Sequence, residues 1–169
     1  GCHATGFIAC VYPLVAMGIV SADALLSSFS LTGYSGGGKA LIAEYEDADR
    51  DVRHESHRIY GTTLQHKHLP EMQKLCGLKY QPVFSPILGD FYEGMATTIL
   101  LPGFDANRVW EQLAAHYEGQ KLVSVAPLGG DESVHTQCQL DKNRTDGIDA
   151  HIVNCITNGI FTGAESHQQ

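Results

Sequence analysis

The sequence predicts an α+β domain in which a mixed, largely antiparallel sheet carries helices packed on one face. Segments with helical and with strand-like spacing of apolar residues follow one another without strict alternation, which is typical of this class. Apolar residues make up 43% of the 169 residues, enough for one buried core. A chain of this length removes roughly 70% of its unfolded surface from water when it folds. We therefore expect one domain that needs neither a disulfide nor a structural metal.

The first half of the chain is predicted to form two helices and a strand around a glycine-rich segment. Residues 2–17 place apolar side chains at helical spacing, and Gly18 follows as a stop signal. Residues 24–32 (ALLSSFSLT) are compatible with a strand and lead directly into GYSGGGK, after which KALIAEYED predicts a helix. Residues 47–58 are almost wholly polar, which indicates a solvated loop.

The second half continues with helices and strands in turn. Pro70 in the first turn favours a helix over residues 69–76. The later part of residues 83–101 alternates well enough to predict a long strand. Asp105 offers an N-cap to a helix whose apolar face carries Val109, Trp110, Leu113 and Tyr117. Residues 122–128 and 148–153 are further short strand candidates.

Composition excludes several classes of function. The formal net charge is −8 and the chain has no basic run, which argues against a nucleic-acid partner. The longest apolar stretch, residues 6–20, is interrupted by Pro13, is too short to cross a bilayer and lacks a basic leader, so we expect neither a membrane span nor a signal peptide. The five cysteines lack pair spacing, which favours a reducing cytoplasm and no metal centre.

Cys2 in the segment GCHATG is the first candidate for chemistry. A thiol at the start of a helix experiences the partial positive charge of the helix N-terminus, which favours the reactive thiolate. The small neighbours Gly1, Ala4 and Gly6 leave room for a substrate. A cysteine in such a position is more often only a small apolar filler, and this reading stays open.

Two further motifs could complete a site. His66 and His68 in HKHLPE lie just before a predicted helix, and an imidazole beside a thiol forms the pair needed for covalent catalysis. Isolated histidines are more often surface or core groups. The segment GYSGGGKA matches the phosphate-binding pattern GxxxxGK[ST] except at Ala40, which replaces the hydroxyl that would bind magnesium. It predicts either an anion-binding loop or a glycine turn needed only for its geometry.

The segments GCHATG, SFSLTGYSGGGK and Tyr60 followed six residues later by HKHLPEM resemble, in this order and separation, the short-form N-acetyl-gamma-glutamyl-phosphate reductases. The resemblance covers residues 1–101 best. It implies a catalytic domain like the C-terminal domain of semialdehyde and glyceraldehyde-phosphate dehydrogenases, which also forms the subunit interface, so we expect a homo-oligomer. Family members carry a nucleotide-binding domain before the cysteine, and none precedes Gly1, so we expect residues 1–169 to be the catalytic domain alone and inactive in isolation.

The resemblance also implies a reaction: NADPH-dependent reduction of N-acetyl-L-glutamyl 5-phosphate to the semialdehyde, in arginine biosynthesis, through a thioester on Cys2. His66 would carry the proton within about 3–4 Å of Cys2, a hydrogen-bond reach. The remaining implied site residues are His68 and Tyr60 as further catalytic candidates, and Ser35, Gly36, Lys39, Arg58 and Glu71 as substrate contacts. The NADPH site would lie mostly outside this chain.

Three alternatives remain open. Aspartate-semialdehyde dehydrogenase has the same domain plan, although HKHLPEM argues against it. A phosphate-loop nucleotide-binding protein is disfavoured by Ala40. A non-catalytic dimerisation module would have no reason for a reactive thiol at Cys2.

Overall fold

The computed structural model describes residues 2–121, 123, 125–129 and 151–156, the last of these for the backbone alone. The helices are α1 (Cys2–Ala16), α2 (Gly38–Glu46), α3 (Leu69–Cys76) and α4 (Ala106–His116), and the strands are β1 (Ser27–Thr32), β2 (Arg58–Ile59), β3 (Val83–Leu88), β4 (Met95–Leu100) and β5 (His151–Ile156). Short 3-10 turns cover Tyr34–Gly37 and Val52–Glu55.

The five strands form one sheet in the order β2-β3-β1-β4-β5. The pairs β1·β3 and β4·β5 are parallel, and the pairs β1·β4 and β2·β3 are antiparallel. The predicted α+β class and mixed sheet are confirmed, but the sheet is evenly mixed and not largely antiparallel. Parallel neighbours need a long crossover, which the chain supplies through α2 and α3 between β1 and β3 and through α4 before β5.

The predicted helices match closely, and each has a local cause. Helix α3 covers the predicted residues, with Pro70 in its first turn and Gly77 at its C-terminus at φ +68°, a conformation that suits glycine. Helix α4 begins where the carboxylate of Asp105 accepts a hydrogen bond from the N–H of Arg108. Local capping signals are readable in sequence because they act within one turn.

The predicted long strand within residues 83–101 is wrong. Two strands occupy this range, and β1 lies between them in the sheet. Residues 89–94 separate them, and Gly94 at φ +118° takes a conformation that a strand does not use. The candidate strand at residues 122–128 lies partly outside the described residues, and the described part of it is not a strand. The candidate at residues 148–153 corresponds to β5, of which the range 151–156 is described.

The predicted packing of helices on one face is confirmed by α1, α3 and α4, which bury one side of the sheet. The core joins residues of these helices to Phe84 of β3 and Ile99 of β4. Side chains that point to the other face of the sheet include four exposed apolar residues. We call this the outer sheet face, and these residues are Phe29, Ile59, Val83 and Leu100. The sheet therefore has one face covered by helices and one apolar face open among the described residues.

Helix α1 contains Pro13, which cannot donate the usual hydrogen bond to the carbonyl of Ala9. The hydroxyl of Tyr117, just after α4, donates to that carbonyl at 2.6 Å. A side chain 108 positions away thus replaces the missing N–H. This contact fixes α1, and with it Cys2, against α4.

Candidate active site

Cys2 lies at the start of α1 and is half-buried. The next residue, His3, is buried and reaches the middle of the sheet, where its Nδ1 lies 2.9 Å from the hydroxyl of Ser30 in β1. The start of α1 is therefore anchored over the sheet, and the thiol is held at the edge of the covered face.

Aromatic rings from separate segments of the chain gather around His3, the residue after Cys2. The ring centroid of His3 lies 6.2 Å from that of Tyr60, 5.8 Å from that of His66 and 6.1 Å from that of His68. His66 and His68 are 4.9 Å apart, and Phe84 closes the cluster from below at 5.2 Å from His66. The structure thus brings the suggested residues Tyr60, His66 and His68 together around His3, the residue that follows Cys2. The expected hydrogen-bond distance between Cys2 and His66 stays a prediction.

The turn between Tyr60 and His66 depends on Gly61. Its φ is +65°, and an added Cβ would lie 3.3 Å from Pro86 and 3.4 Å from His66. A side chain there would be strained and crowded. Gly61 thus lets the chain reverse so that the phenol and the imidazole lie on the same side.

Burial controls the protonation of these groups. Desolvation is the main cause that raises the pKa of Tyr60 to about 12, and the nearby Cys2 thiolate adds to it. Desolvation also lowers the pKa of His66 and of His68 below the usual value, with their mutual repulsion contributing at His66. At neutral pH the phenol is therefore protonated and both imidazoles are neutral.

The hydrogen bonds distinguish the two histidines. The backbone N–H of His68 donates to Nδ1 of His66 at 3.3 Å, which assigns the proton of a neutral His66 to Nε2. Nδ1 of His68 lies 3.4 Å from a carboxylate oxygen of Glu71, which favours a proton on Nδ1 and a lone pair on Nε2. His66 is thus arranged to donate and His68 to accept.

The glycine-rich segment is bound to its own chain. The N–H groups of Gly33, Tyr34 and Ser35 donate to the carbonyls of Gly94, Phe91 and Tyr92 at 2.9–3.0 Å. A Cβ on Gly33 would lie 2.6 Å from the carbonyl oxygen of Tyr92. Its first three N–H groups are therefore unavailable to an anion, and an anion-binding loop here would have to use later N–H groups of the segment. Gly36 and Lys39 are exposed, and Ser35 is half-buried.

Arg58 lies at the same end of the sheet as the glycine-rich segment. It pairs with Leu88 at the end of β3, and Leu88 pairs with Thr32, the last residue of β1. The guanidinium of Arg58 donates to the carboxylate of Glu44 in α2 at 3.0 Å. A second ion pair lies near this end of the sheet, where the guanidinium of Arg50 donates to both carboxylate oxygens of Asp90 at 2.7 and 2.8 Å. These two arginines are already paired with acids.

A family description, the dimerisation domain of semialdehyde dehydrogenases, matches residues 2–153 of this chain. The chain belongs to this family. The five-stranded mixed sheet with helices on one face is therefore the form that the semialdehyde dehydrogenase dimerisation domain takes in this chain.

Within this family the chain is similar to N-acetyl-gamma-glutamyl-phosphate reductases, which confirms the resemblance seen in its motifs. It is 36% identical to N-acetyl-gamma-glutamyl-phosphate reductase 2 of Nostoc sp. over 87% of this chain and 49% of that protein. It is 39% identical to the reductase of Rhizobium meliloti over 89% and 50%, and 33% identical to that of Burkholderia cenocepacia over 99% and 53%. The chain spans about half the length of the curated relatives it matches.

Sequence reasoning missed one part of this semialdehyde dehydrogenase domain: the buried polar residues His3, Ser30 and Thr97. A signal for it existed in SSFSLT, where Ser28, Ser30 and Thr32 alternate with larger apolar residues. The structure buries the polar set and leaves Phe29 partly exposed. A strand whose small polar residues face the core indicates polar partners there, and His3 is the partner of Ser30.

The described part of the chain lacks two other kinds of feature. No group of three or more His, Cys, Asp or Glu side chains there could hold a metal ion. Among the same residues, no helix has the length and apolar character needed to traverse a bilayer.

Proposed function

We propose that this chain is the thioester-forming domain of an N-acetyl-gamma-glutamyl-phosphate reductase, a cytoplasmic oxidoreductase of arginine biosynthesis. One observation carries the proposal: Cys2 with His3, Tyr60, and His66 with His68 come from three distant segments and converge at the start of α1. The similarity to proteins of that name supports the substrate, N-acetyl-L-glutamyl 5-phosphate.

The chemistry assigned to this chain is the first half of the reaction. The Cys2 thiolate attacks the acyl carbon, a C–S bond forms, the C–O bond to phosphate breaks, and phosphate leaves with the electron pair. His68, held by Glu71, is the better proton acceptor for Cys2, and His66 the better donor to the substrate oxygen. The sequence prediction preferred His66 as the proton carrier and kept His68 as a further candidate, and this proposal gives the two histidines a shared role.

Ser35, Gly36, Lys39 and Arg58 remain the proposed contacts for the anionic substrate, and Glu71, the fifth predicted contact, is proposed instead to orient His68. Lys39 is exposed at the start of α2, so its ammonium group can bind an anion without first giving up a buried position. Arg58 would have to exchange its bond with Glu44 for one with substrate.

The reductant in this proposal is NADPH, bound outside the described residues. A dinucleotide needs free backbone N–H groups at a glycine turn, and the described glycine-rich segment uses its first three for internal bonds. The described residues therefore do not fit this cofactor. The hydride-transfer half of the reaction is assigned to another part of the enzyme.

The test is release of phosphate from N-acetylglutamyl phosphate by the 169-residue chain in a single turnover, without NADPH. The wild-type chain should release about one phosphate per chain, and Cys2→Ala should release none above the uncatalysed rate. Cys76→Ala is the control, because burial raises the pKa of the Cys76 thiol to about 12. His68→Asn should slow release more than His66→Asn, and exposed His57→Asn should leave it unchanged. Equal release by Cys2→Ala would remove the proposal.

The self-association implied by the family is proposed to use the outer sheet face. Its exposed apolar side chains are contributed by four strands, and the core helices α1, α3 and α4 cover the opposite face. Val83→Asp should convert a dimer to a monomer in sedimentation equilibrium. Leu75→Asp, on an exposed position of α3, is the matched control and should stay dimeric. A Val83→Asp dimer as tight as wild type would contradict this assignment.

A further inference from the structure

A row of polar side chains crosses the covered face of the sheet beneath Cys2. Ser30 of β1 pairs in register with Thr97 of β4 on one side and with Pro86 of β3 on the other. The N–H of Tyr60 donates to the carbonyl of Pro86 at 3.2 Å, so Tyr60 extends the row just beyond β2. Pro86 is the member of this row whose side chain has no hydrogen-bonding atom, and it separates Tyr60 from Ser30.

His3 spans that gap from above. Its Nε2 lies 2.6 Å from the hydroxyl of Tyr60, and its Nδ1 lies 2.9 Å from the hydroxyl of Ser30. Ser30 lies in turn 2.9 Å from the hydroxyl of Thr97. His3 is 3% exposed, Ser30 0% and Thr97 1%, so this part of the chain of hydrogen bonds is shielded from water. Buried polar groups of this kind are costly unless each is bonded.

The direction of the hydrogen bonds decides what Tyr60 can do. A neutral imidazole donates from one nitrogen and accepts at the other, and each hydroxyl donates once. If Tyr60 donates to His3, its proton points into the protein. If the sequence of donors reverses, Nε2–H of His3 donates to the phenol oxygen, and the phenol O–H is released to donate outward. The three hydroxyls and the imidazole allow either direction without any charge moving.

Outward donation has a target. Cys2 is adjacent to His3 in sequence and close enough for its charge to act on Tyr60. In the proposed reaction, negative charge develops first on the Cys2 sulfur and then on the oxygen of the attacked acyl group. A neutral phenol that already has its oxygen bonded is a preorganised donor for such charge.

We propose that His3 is a positioning residue, which through Ser30 and Thr97 holds the Tyr60 hydroxyl as the hydrogen-bond donor to the charge formed at Cys2 and its bound substrate. This rests on the proposed function, and it assigns a task to a histidine that is distinct from the proton carriers His66 and His68. Tyr60 contacts the reacting atoms, whereas His3 acts through Tyr60.

The test uses substitutions that separate the two ends of the imidazole, measured in single-turnover phosphate release by the 169-residue chain. The amide of His3→Gln can take the place of Nε2 and reach Tyr60, whereas that of His3→Asn can take the place of Nδ1 and reach only Ser30. Tyr60→Phe and His3→Asn should each lower the rate constant at saturating substrate by about 10- to 100-fold, the usual effect of losing one donor to developing charge. His3→Gln should recover most of the loss, and the substrate concentration at half-saturation should change little in all three.

The double variant His3→Asn/Tyr60→Phe gives the decisive comparison. If His3 acts through Tyr60, the double variant is no slower than Tyr60→Phe alone. Multiplied losses, or equal rates for His3→Asn and His3→Gln, would overturn the inference while leaving the proposed function intact. Thermal unfolding of each variant shows whether a loss of rate is caused by unfolding. His3→Phe keeps the ring packing against Phe84 and replaces any variant that does not fold. It should be as slow as Tyr60→Phe. Absence of phosphate release by the wild-type chain would overturn both proposals.

Discussion

Replacing Tyr117 by Phe should destabilise the domain because of a proline on another helix. Pro13 has no N–H, so the carbonyl of Ala9 depends on the Tyr117 hydroxyl, which donates to it at 2.6 Å. Leaving a buried acceptor unpaired costs about 1–3 kcal/mol, and Ala9 is only half-buried, so we expect about 1–1.5 kcal/mol. For a domain of this size, that lowers the melting temperature by roughly 3–5 °C.

A double-mutant cycle with Pro13→Ala isolates this hydrogen bond. The alanine introduced by Pro13→Ala restores the backbone donor to the carbonyl of Ala9, so Tyr117→Phe should cost about 1 kcal/mol less in that background. The cost of the small cavity left by Pro13→Ala cancels in the cycle. Urea unfolding followed by circular dichroism measures all four proteins. Tyr12→Phe, at a position 48% exposed on the same helix, is the control and should change stability by less than about 0.5 kcal/mol.

The coupling free energy between Tyr117→Phe and Pro13→Ala decides whether the Tyr117 hydroxyl replaces the missing N–H. If Tyr117→Phe costs the same free energy in the wild-type and the Pro13→Ala backgrounds, the hydroxyl does not substitute for the missing N–H. An effect of Tyr12→Phe as large as that of Tyr117→Phe would attribute the loss to general repacking of α1.

Three further predictions concern reactivity, turnover and pH. Limiting iodoacetamide at pH 7 should modify Cys2 first, since Cys10 and Cys76 are buried; preferential modification of Cys76, Cys138 or Cys155 in peptide mapping would refute this. The 169-residue chain should not oxidise NADPH steadily in the presence of acyl phosphate, because the described residues do not fit the cofactor; sustained NADPH consumption would show that a nucleotide site was missed. Asp90→Asn should destabilise the fold at pH 7 and progressively less in acid. The hydrogen bonds from Arg50 lower the pKa of Asp90 in the folded state. The contribution of Asp90 to stability is therefore complete above its unfolded pKa of about 4 and is lost as the pH falls through its folded pKa. A difference in urea midpoint between the two proteins that stays constant down to about pH 3 would contradict that account.

Much of the secondary structure could be predicted because its causes are local. Helix α3 follows from Pro70 and Gly77, and α4 follows from the cap at Asp105, each acting within one turn of backbone. The strand order could not be predicted in this way. Alternation in residues 95–100 indicates a strand, but its pairing with β1 in place of β3 depends on contacts between segments far apart in sequence.

In the candidate site, too, some features could be predicted from the sequence and others could not. Cys2, Tyr60, His66 and His68 were identified from motifs, because reactive side chains in family-like spacing are visible in the sequence. For the glycine-rich segment the sequence left two readings open, because GYSGGGK indicates that the backbone is free to turn but does not show which N–H groups are free to bind. Residues 91–94 accept the first three of those hydrogen bonds, and their position follows from the fold.

The sequence alone determined the helices and the glycine turns, because these depend on neighbours within a few residues, and its motifs supplied the candidate reactive side chains. The tertiary structure decided which of those side chains face one another. His3 gains its significance from Ser30, Tyr60 and Thr97, which lie 27 or more positions away. These residues form one row only because the sheet aligns β4, β1, β3 and the chain just after β2. Hydrogen bonds and burial depend on distance in space, and that distance is fixed by the packing of the whole chain.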